Sequence, residues 1–295
     1  LYIFAMSGEE VIADFSAKLL TDDMEQLKPV QGRVLLNHEQ LVLVTGDKKE
    51  VILLSHIAST DPGSVADRIS QFFEEAIAIA YDREGTQKRA VIGGSGDTIT
   101  KFRTRLFKLL VGKQTVIAKH PAKRGGRRTG APALKMVLEI QDDSISLSKD
   151  DKSANIYVES VIGFEHEQRK LRDEPRPTLV VDHAPGGTTL TTFISLLSQR
   201  KLTFLSQYIR QNYSRVVADV KDIDVGEVET QTLVSLYSAG GNASVDMVVT
   251  GDVDDPDALL EQLEEKRLVT RRNGEVHLTS RGEIIVTDQI ETVNE

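Results

Sequence analysis

Glycine-rich turns are the first residues of this sequence whose type and spacing could do chemistry, because backbone amides in such turns can bind phosphate. The stretch VIGGSGDT at 91–98 joins a strand pattern to a helix pattern, but Ile99 stands where a dinucleotide-binding fingerprint requires its third glycine. Ser95 does not form a nucleophile elbow, since Asp97 replaces the closing glycine of that motif. We therefore interpret the stretch as a tight turn.

Histidines and carboxylates offer the other routes to catalysis or metal binding. The six histidines include no H-x-H, H-x-x-H or H-E-x-x-H spacing, and Glu165-His166-Glu167 would need a third ligand from elsewhere in the fold. Carboxylate pairs such as Asp142-Asp143 fall in turns, where they cap backbone amides. The absence of cysteine excludes disulfides, thiolate nucleophiles and cysteine-ligated metals. We expect no enzymatic activity, no metal and no cofactor.

Charge is distributed unevenly along the chain. The net charge is −9, yet the segment 226–295 holds 15 acidic and 5 basic residues, a net of −10. The segment KHPAKRGGRRTGAP at 119–132 holds five basic residues and no acidic one. These patterns predict an acidic C-terminal module and a basic Gly/Pro hinge in the middle of the chain.

The apolar runs are short. The longest, such as LVLV at 41–44, fall far below the ~18 residues that span a bilayer. The opening LYIFA lacks the basic flank and cleavage site of a signal peptide. We expect a cytoplasmic protein without a transmembrane segment. Met6 resembles a natural start, which leaves open whether residues 1–5 are native.

The first 118 residues combine helix and strand patterns. Ser7 and Glu10 have capping-box spacing, and Val11, Phe15 and Leu19 follow at helical spacing, so a short N-terminal helix is predicted. Runs of β-forming residues come next, at 30–36, 41–45, 50–54, 76–81 and 89–93. An amphipathic helix at about 97–111 closes the set.

The same order recurs in the following segment. Strand patterns at 133–140, 144–148, 154–164, 178–183 and 188–194 precede a helix at about 198–213. The second set lies 103 to 105 residues after the first, with two extra residues in one turn. We interpret this as a tandem duplication of a pleckstrin-homology-like β domain, at 1–118 and 133–225, joined by the hinge at 119–132. Two unrelated β-rich domains are the alternative, which stays open.

The segment 226–295 has a different pattern. Helices are predicted at 229–241, 244–251 and 255–269. A hairpin with Asn273-Gly274 as a type I′ turn follows, and a helix from about 282 to 294 ends the segment. This order is typical of a winged-helix, helix-turn-helix-like domain. The predicted fold class is therefore α+β, with tandem pleckstrin-homology-like β domains followed by a C-terminal winged-helix domain.

A winged helix suggests DNA binding, which the charges disfavour. The helix that would enter the major groove carries five carboxylates, with Lys266 and Arg267 only at its end. DNA phosphates repel carboxylates, whereas affinity for DNA depends on lysine and arginine. Arg271 and Arg272 on the wing cannot outweigh a net charge of −10. A protein-binding winged helix is favoured.

Positive charge collects at two places outside this module, the predicted helix at 97–111 and the hinge. These residues offer a surface to an acidic protein or to anionic lipid, although an ordinary solvated face is an equal alternative. The candidate residues for an anionic partner are Lys101, Arg105, Lys108, Lys123, Arg124, Arg127 and Arg128.

Six stretches are distinctive as a set: KPVQGRVLL at 28–36, AVIGGSGDTITKF at 90–102, VIAKHPAKRGGR at 116–127, RQNYSRVVADVKDID at 210–224, ETQTLVSLYSAGG at 229–241 and LTSRGEIIVTDQIETVN at 278–294. Together they resemble the archaeal taxis (chemotaxis) adaptor family CheF, from Met6 onward. The resemblance implies a non-enzymatic homodimer at the cytoplasmic face of the archaellum motor. It implies that this adaptor links the phosphorylated response regulator CheY to the motor switch proteins and so controls rotational switching.

The resemblance directs the search for a binding site to the acidic tail. The output face of a response regulator typically presents an apolar patch edged by lysine, so its complement should be apolar side chains beside carboxylates. Adjacent isoleucines on a helix point about 100° apart, so one of Ile284 and Ile285 could face outward. The candidate residues are Glu261, Glu265, Ile284, Ile285, Ile290 and Val293. A purely structural role for them stays open, as do a winged-helix transcription regulator and an anionic-membrane-binding module as alternative functions.

Overall fold

A computed structural model describes residues 10–22, 28–46, 48–60, 72–185, 188–248, 255–272 and 274–294, without the side chains of residues 246, 248 and 289–294. The fold is α+β with mostly antiparallel sheets. It divides into two units. The first comprises the chain up to Gly112 together with Thr203–Tyr208, and the second comprises Lys113–Leu202 and the chain from Ile209 onward. Within the described ranges, no helix is long and apolar enough to cross a membrane.

The first unit is built on an antiparallel sheet in the order β4-β3-β2-β1-β7-β6-β5. Its strands are β1 (Ala13–Thr21), β2 (Val30–Leu36), β3 (Gln40–Thr45), β4 (Lys48–Leu53), β5 (Ile57–Ser59), β6 (Glu75–Arg83) and β7 (Thr86–Gly94), with a 3-10 helix at Leu54–His56. Helix α1 (Gly96–Val111) follows β7. Its apolar stripe, with Ile99, Phe102 and Leu106 fully buried, faces the core as its 3.6-residue periodicity predicts.

The second sheet has the order β12-β11-β10-β8-β15-β14-β13, with β9 pairing β8. Its strands are β8 (Gln114–Arg124), β9 (Arg127–Arg128), β10 (Leu134–Ile140), β11 (Ser144–Lys149), β12 (Lys152–Tyr157), β13 (Val161–Leu171), β14 (Glu174–His183) and β15 (Leu190–Leu196), with a 3-10 helix at Val158–Ser160. Helix α2 (Gln199–Lys221) follows β15, and Ser198 caps it by accepting a hydrogen bond from the Lys201 N–H.

The two sheets repeat the same strand order once β9 is set aside. Gln40–Thr45 and Lys48–Leu53 recur 104 positions later as Ser144–Lys149 and Lys152–Tyr157. The 3-10 helix is repeated at the same distance. The offset is the same for the strands before and after the turn that joins them. The predicted insertion of two residues in this turn is therefore wrong.

The C-terminal part of the second unit, called the tail below, contains four helices and a small sheet among the described residues. The elements are α3 (Glu227–Ser238), β16 (Asn242–Ser244), α4 (Val245–Val248), α5 (Pro256–Glu265), β17 (Val269–Arg272), β18 (Glu275–Leu278) and α6 (Ser280–Asn294), with the sheet order β16-β18-β17. The predicted helices and hairpin occur in the predicted order, but α3 and α6 begin two residues earlier than predicted, and α3 and α5 end three and four residues earlier. Strand β16 is an additional element. The predicted type I′ turn falls partly outside the described residues, because Asn273 does.

Helix α2 completes the tail core. Its residues Val216, Val217 and Val220 pack into the hydrophobic cluster that contains Leu233 and Leu260 of the tail. The tail therefore shares one core with the C-terminal half of α2. A fragment cut at residue 226 would lose one wall of that core.

The predicted N-terminal helix is wrong where the chain is described. Residues 13–21 form strand β1, whose inward positions include Ala13, Ala17 and Leu19. A spacing of four residues fits a helix, but it is also a multiple of the two-residue strand period. The two alanines fill the intermediate inward positions, so the strand period explains Phe15 and Leu19, whereas Val11 precedes β1 and is exposed.

The predicted hinge at 119–132 is also wrong. Residues 119–124 continue strand β8, which pairs with β15, and Arg127–Arg128 pair back onto β8 as strand β9. Gly125 and Gly126 have φ values of 52° and 75°, as a two-residue hairpin turn requires. The glycines that suggested a linker instead form a tight turn within the sheet.

Candidate partner-binding surfaces

Helix α5 presents a row of carboxylates to solvent. Asp255 caps the helix by accepting a hydrogen bond from the Ala258 N–H at 3.0 Å, and Pro256 occupies its first turn. Its leucines are buried in the tail core. Asp257, Glu261 and Glu265 lie at successive i, i+4 positions and are exposed, so they form one acidic stripe.

Most basic residues of the tail are bound to carboxylates. Lys266 Nζ lies 2.7 Å from both oxygens of Glu229 and also donates to the Asp224 carbonyl. Arg271 Nε lies 2.9 Å from Glu264 Oε2, and a second nitrogen of the same guanidinium lies 3.2 Å from Asp257 Oδ1. Lys266 and Arg271 are therefore neutralised within the tail, whereas Arg267 and Arg272 are exposed.

Part of the remaining negative charge of the tail lies on the exposed face of α5. Glu261 and Glu265 have no ion-pair or hydrogen-bond partner for their side chains among the described residues. Asp257 remains 86% exposed despite its contact with Arg271. The acidic stripe is thus available to a cationic partner.

The isoleucines predicted to accompany these carboxylates belong to the core. Ile284 and Ile285 are 9% and 8% exposed and pack in the tail cluster, so the prediction that one faces outward is wrong. Ile284 and Ile285 of α6 are both buried because apolar side chains of α2 pack against this helix in addition to those of the tail. The side chains of Ile290 and Val293 lie outside the described residues.

Exposed apolar side chains occur elsewhere in the tail. Val228 and Tyr237 on α3 are 47% and 40% exposed, and Met247 on α4 is 69% exposed. Sequence reasoning did not single them out. For Val228 and Tyr237, the sequence signal was their position outside the apolar stripe of α3, whose buried residues include Leu233 and Leu236.

The predicted basic face of α1 is only partly free. Lys101 and Arg105 are exposed, and Arg105 donates a hydrogen bond to the Ile12 carbonyl at 3.1 Å. Lys108 is half-buried and has a polar interaction of its own. All three belong to the first unit, whereas the basic residues of the β8–β9 hairpin belong to the second.

The hairpin residues themselves divide into two groups. Arg124, Arg127 and Arg128 are exposed. Lys123 is half-buried and lines a cavity of about 630 Å³ together with Asp182 and Glu283. Lys123 therefore shares a cavity with two carboxyl groups of its own unit.

The same cavity holds an unusual carboxyl group. Glu283 on α6 is 9% exposed and accepts a hydrogen bond from the Thr189 hydroxyl at 3.0 Å. Burial, with a smaller contribution from Asp182, raises the pKa of Glu283. This contact and the hydrogen bond from Ser280 Oγ to the Glu159 carbonyl at 2.6 Å join the first turn of α6 to the second sheet domain.

A histidine pair is buried in the second sheet. His183 is fully buried, and its Nε2 lies 3.0 Å from the Thr192 hydroxyl, which is 2.7 Å from His120 Nδ1. The two rings stack with centroids 5.7 Å apart. Burial, aided by His120, lowers the pKa of His183 to about 4. Among the described residues, no three His, Cys, Asp or Glu side chains are arranged to hold a metal ion.

A comparison with protein families identifies the chain. Residues 11–215 match the model described as "Archaeal Chemotaxis signal transduction system protein F", named CheF-arch. The chain belongs to the archaeal CheF family. It therefore has a role in chemotaxis signalling, and the family is described by signal transduction rather than by a reaction.

Two curated relatives extend the CheF match over nearly the whole chain. "Taxis protein CheF2" of Halobacterium salinarum (strain ATCC 29341 / DSM 671 / R1) is 35% identical over 97% of this chain and 99% of its own length. "Taxis protein CheF1" of the same organism is 22% identical over 96% of this chain and 98% of its own length. The tail thus lies within the aligned region of both relatives.

A solved structure of Vav1, titled "Vav1 inhibited by an allosteric inhibitor: Vav1 inhibitors block GEF activity", is a much weaker match. It covers 35% of this CheF chain and 27% of its own chain, with 14% sequence identity and a TM-score of 0.27. At that score it supports no conclusion about the fold or function.

Proposed function

We propose that this chain is a non-enzymatic taxis adaptor that connects the phosphorylated response regulator CheY to the switch proteins of the archaellum motor. We propose that it acts as a homodimer at the cytoplasmic face of the motor. Membership of the CheF family supports the signalling role. The acidic stripe of Asp257, Glu261 and Glu265 is the observation that carries the assignment of the regulator-binding surface.

We further propose that the two sheet domains are pleckstrin-homology-like and that the tail is a winged helix. The repeated strand order, each time followed by a long helix, supports the first assignment. Three helices, a hairpin and a closing helix support the second. Such domains serve here as rigid platforms for partner surfaces.

The acidic stripe suits a partner whose binding face is edged by lysine. Its carboxylates sit on a helix whose opposite side is fixed in the core, so they are held in place before the partner arrives. Two nearby cations, Lys266 and Arg271, do not compete because they are already bound to carboxylates. Charge complementarity of this kind increases the association rate and selects against acidic partners.

The same contacts weigh against the alternative of a transcription regulator. In a DNA-binding winged helix, the helix equivalent to α5 and the wing would meet phosphates. Here Arg271 of the wing is held by Glu264 and Asp257 of α5. DNA binding would break these ion pairs and bring the acidic stripe against phosphate.

Titration of phosphorylated CheY into the whole chain tests the tail assignment. Reversing two charges with Glu261→Lys and Glu265→Lys should weaken binding at least tenfold, mainly through slower association at low salt. Asp143→Lys with Asp151→Lys is the control, because it reverses two exposed charges in turns of the second sheet domain. Equal affinity of the tail variant and the wild type would place the regulator site elsewhere.

A further inference from the structure

We infer that Arg124, Arg127 and Arg128, defined here as the arginine hairpin, form a docking site for an acidic protein surface. This inference rests on the proposed adaptor function and assigns the motor-side contact to a surface other than the acidic tail stripe. An adaptor must bind two partners at once, so it needs two separate surfaces. The arginine hairpin has the opposite charge to the tail stripe and suits a different class of partner.

The arginine hairpin is held rigidly. Its two-residue Gly125-Gly126 turn joins β8 to β9, and the Gly125 N–H donates to the Thr189 carbonyl at 2.8 Å. Strand β15 pairs along the other edge of β8, with Leu190 opposite Arg124. After β9, the Thr129 N–H donates to the Ala122 carbonyl at 3.0 Å. Fixed backbone on both sides reduces the entropy lost when the guanidinium groups bind a partner.

The guanidinium groups are not neutralised within the chain. Arg124 lies directly opposite Arg127, and Lys123 lies opposite Arg128, so like charges face each other across the ribbon. Among the described residues, none of the three arginine side chains has an ion-pair or hydrogen-bond partner. Like-charged cross-strand pairs are unfavourable for stability, and a bound anion would relieve the repulsion.

A second pair of like-charged residues in the same sheet differs from the arginine hairpin because carboxylates lie next to it. Lys149 lies opposite Lys152 on β11 and β12, but the intervening turn is Asp150-Asp151, which places two carboxylates beside them. The turn of the arginine hairpin is Gly125-Gly126 and supplies no negative charge. The lysine pair is therefore locally balanced, whereas the arginine hairpin is not.

An acidic protein fits this surface better than an anionic membrane. Residues 123–132 contain no aromatic or large aliphatic side chain that could enter a lipid interface. Gly125 and Gly126 line a cavity that Glu283 and Asp288 of the tail also line, so a partner at the hairpin tip would come close to this part of the tail. A flat anionic membrane would repel that region, whereas a protein can match the arginines with a local group of carboxylates. Guanidinium groups also bind carboxylates in a bidentate geometry.

The test measures binding of the whole chain to the purified switch proteins of the archaellum motor and, in parallel, to phosphorylated CheY. We expect Arg124→Gln, Arg127→Gln and Arg128→Gln together to weaken switch-protein binding at least tenfold while CheY affinity changes less than twofold. The matched control replaces Lys135, Lys149 and Lys152 with Gln, which removes three exposed charges from the same sheet. We expect this control to bind both partners as the wild type does.

Three other results would overturn the inference. Unchanged switch-protein binding by the arginine variant would remove the hairpin assignment and leave the adaptor function intact. Failure of the wild-type chain to bind either partner would remove the adaptor function and this assignment together. Arginine-dependent cosedimentation with phosphatidylglycerol vesicles, or arginine-dependent binding to duplex DNA, without switch-protein binding would assign the surface to lipid or nucleic acid.

Discussion

Acidification should destabilise the second unit through His183. This side chain is fully buried, shares the Thr192 hydroxyl with His120, and has no hydrogen-bond partner for Nδ1 among the described residues. Its pKa is about 4 in the folded chain, compared with a reference value of 6.5. Between these values the unfolded chain binds the proton more readily, so stability is complete above pH 6.5 and falls as the pH decreases toward 4.

The size of the effect follows from the shift in pKa. The full difference is worth about 3 kcal/mol, and the part lost between pH 8 and pH 6 is about 1 kcal/mol. The narrower range keeps the measurement above the isoelectric point of 5.3, where the chain retains net negative charge. His120 also has a lowered pKa, caused chiefly by burial, and adds a loss of the same sign.

The assay compares urea unfolding of the wild type and the His183→Gln variant at pH 8 and pH 6. Glutamine can still hydrogen-bond with Thr192 but does not titrate, so the wild type should lose about 1 kcal/mol more than the variant over this range. Glu283 contributes with the opposite sign, because its raised pKa makes protonation favour the folded state. That contribution is common to both proteins and cancels in the comparison.

An independent measurement observes the imidazole directly. With only six histidines, an NMR titration of labelled histidine can follow each ring. We expect the His183 signal to stay constant from pH 8 to pH 6. A His183 midpoint near 6.5, or equal pH dependence of unfolding in the wild type and the variant, would refute the assigned burial and its energetic cost.

The remaining predictions concern assembly, DNA binding and packing. Light scattering at micromolar concentration should give the mass of a dimer, because two linked copies in the proposed homodimer would bind a partner with greater avidity than one; a monomer mass would contradict the proposal. The whole chain should not retard duplex DNA at physiological salt, because Arg271 is bound to carboxylates; nanomolar, sequence-specific binding would contradict this. Gly282→Ala should lower the free energy of unfolding by ~1–3 kcal/mol, because the new Cβ would lie 2.4 Å from the Leu268 carbonyl oxygen. As the control, Gly130→Ala should have little effect on stability, because a Cβ at this position would meet no other atom within 4 Å. Equal stability of the two variants would contradict the steric explanation.

The periodicity of apolar residues predicted most helices and strands. It failed where one spacing fits both the helical period and the two-residue strand period. Helix α1 was predictable because apolar residues at three- and four-residue spacing fit only a helix. Phe15 and Leu19 of β1 fit both a helix and a strand, and the decisive contacts of that strand with β2 and β7 are distant in sequence. The glycines at 125–126 likewise fit both a linker and a hairpin, and the pairing of β8 with β9 and with β15 shows that they form a hairpin.

The candidate sites were predictable in charge but not in packing. The exposed carboxylates of Glu261 and Glu265 follow from their spacing opposite the leucines of α5. The burial of Ile284 and Ile285 depends on α2, which comes from a different part of the chain and could not be assigned to the tail core from local pattern. The ion pairs of Lys266 and Arg271 also depend on tertiary contacts with Glu229 and Glu264.

The most direct test of the adaptor function is a titration of the whole chain with CheY in its phosphorylated and unphosphorylated forms. A partner that binds both forms equally cannot transmit the signal. We predict at least tenfold tighter binding of phosphorylated CheY, reduced by charge reversal at Glu261 and Glu265. Equal affinities for the two forms, or no binding of either, would contradict the proposed function.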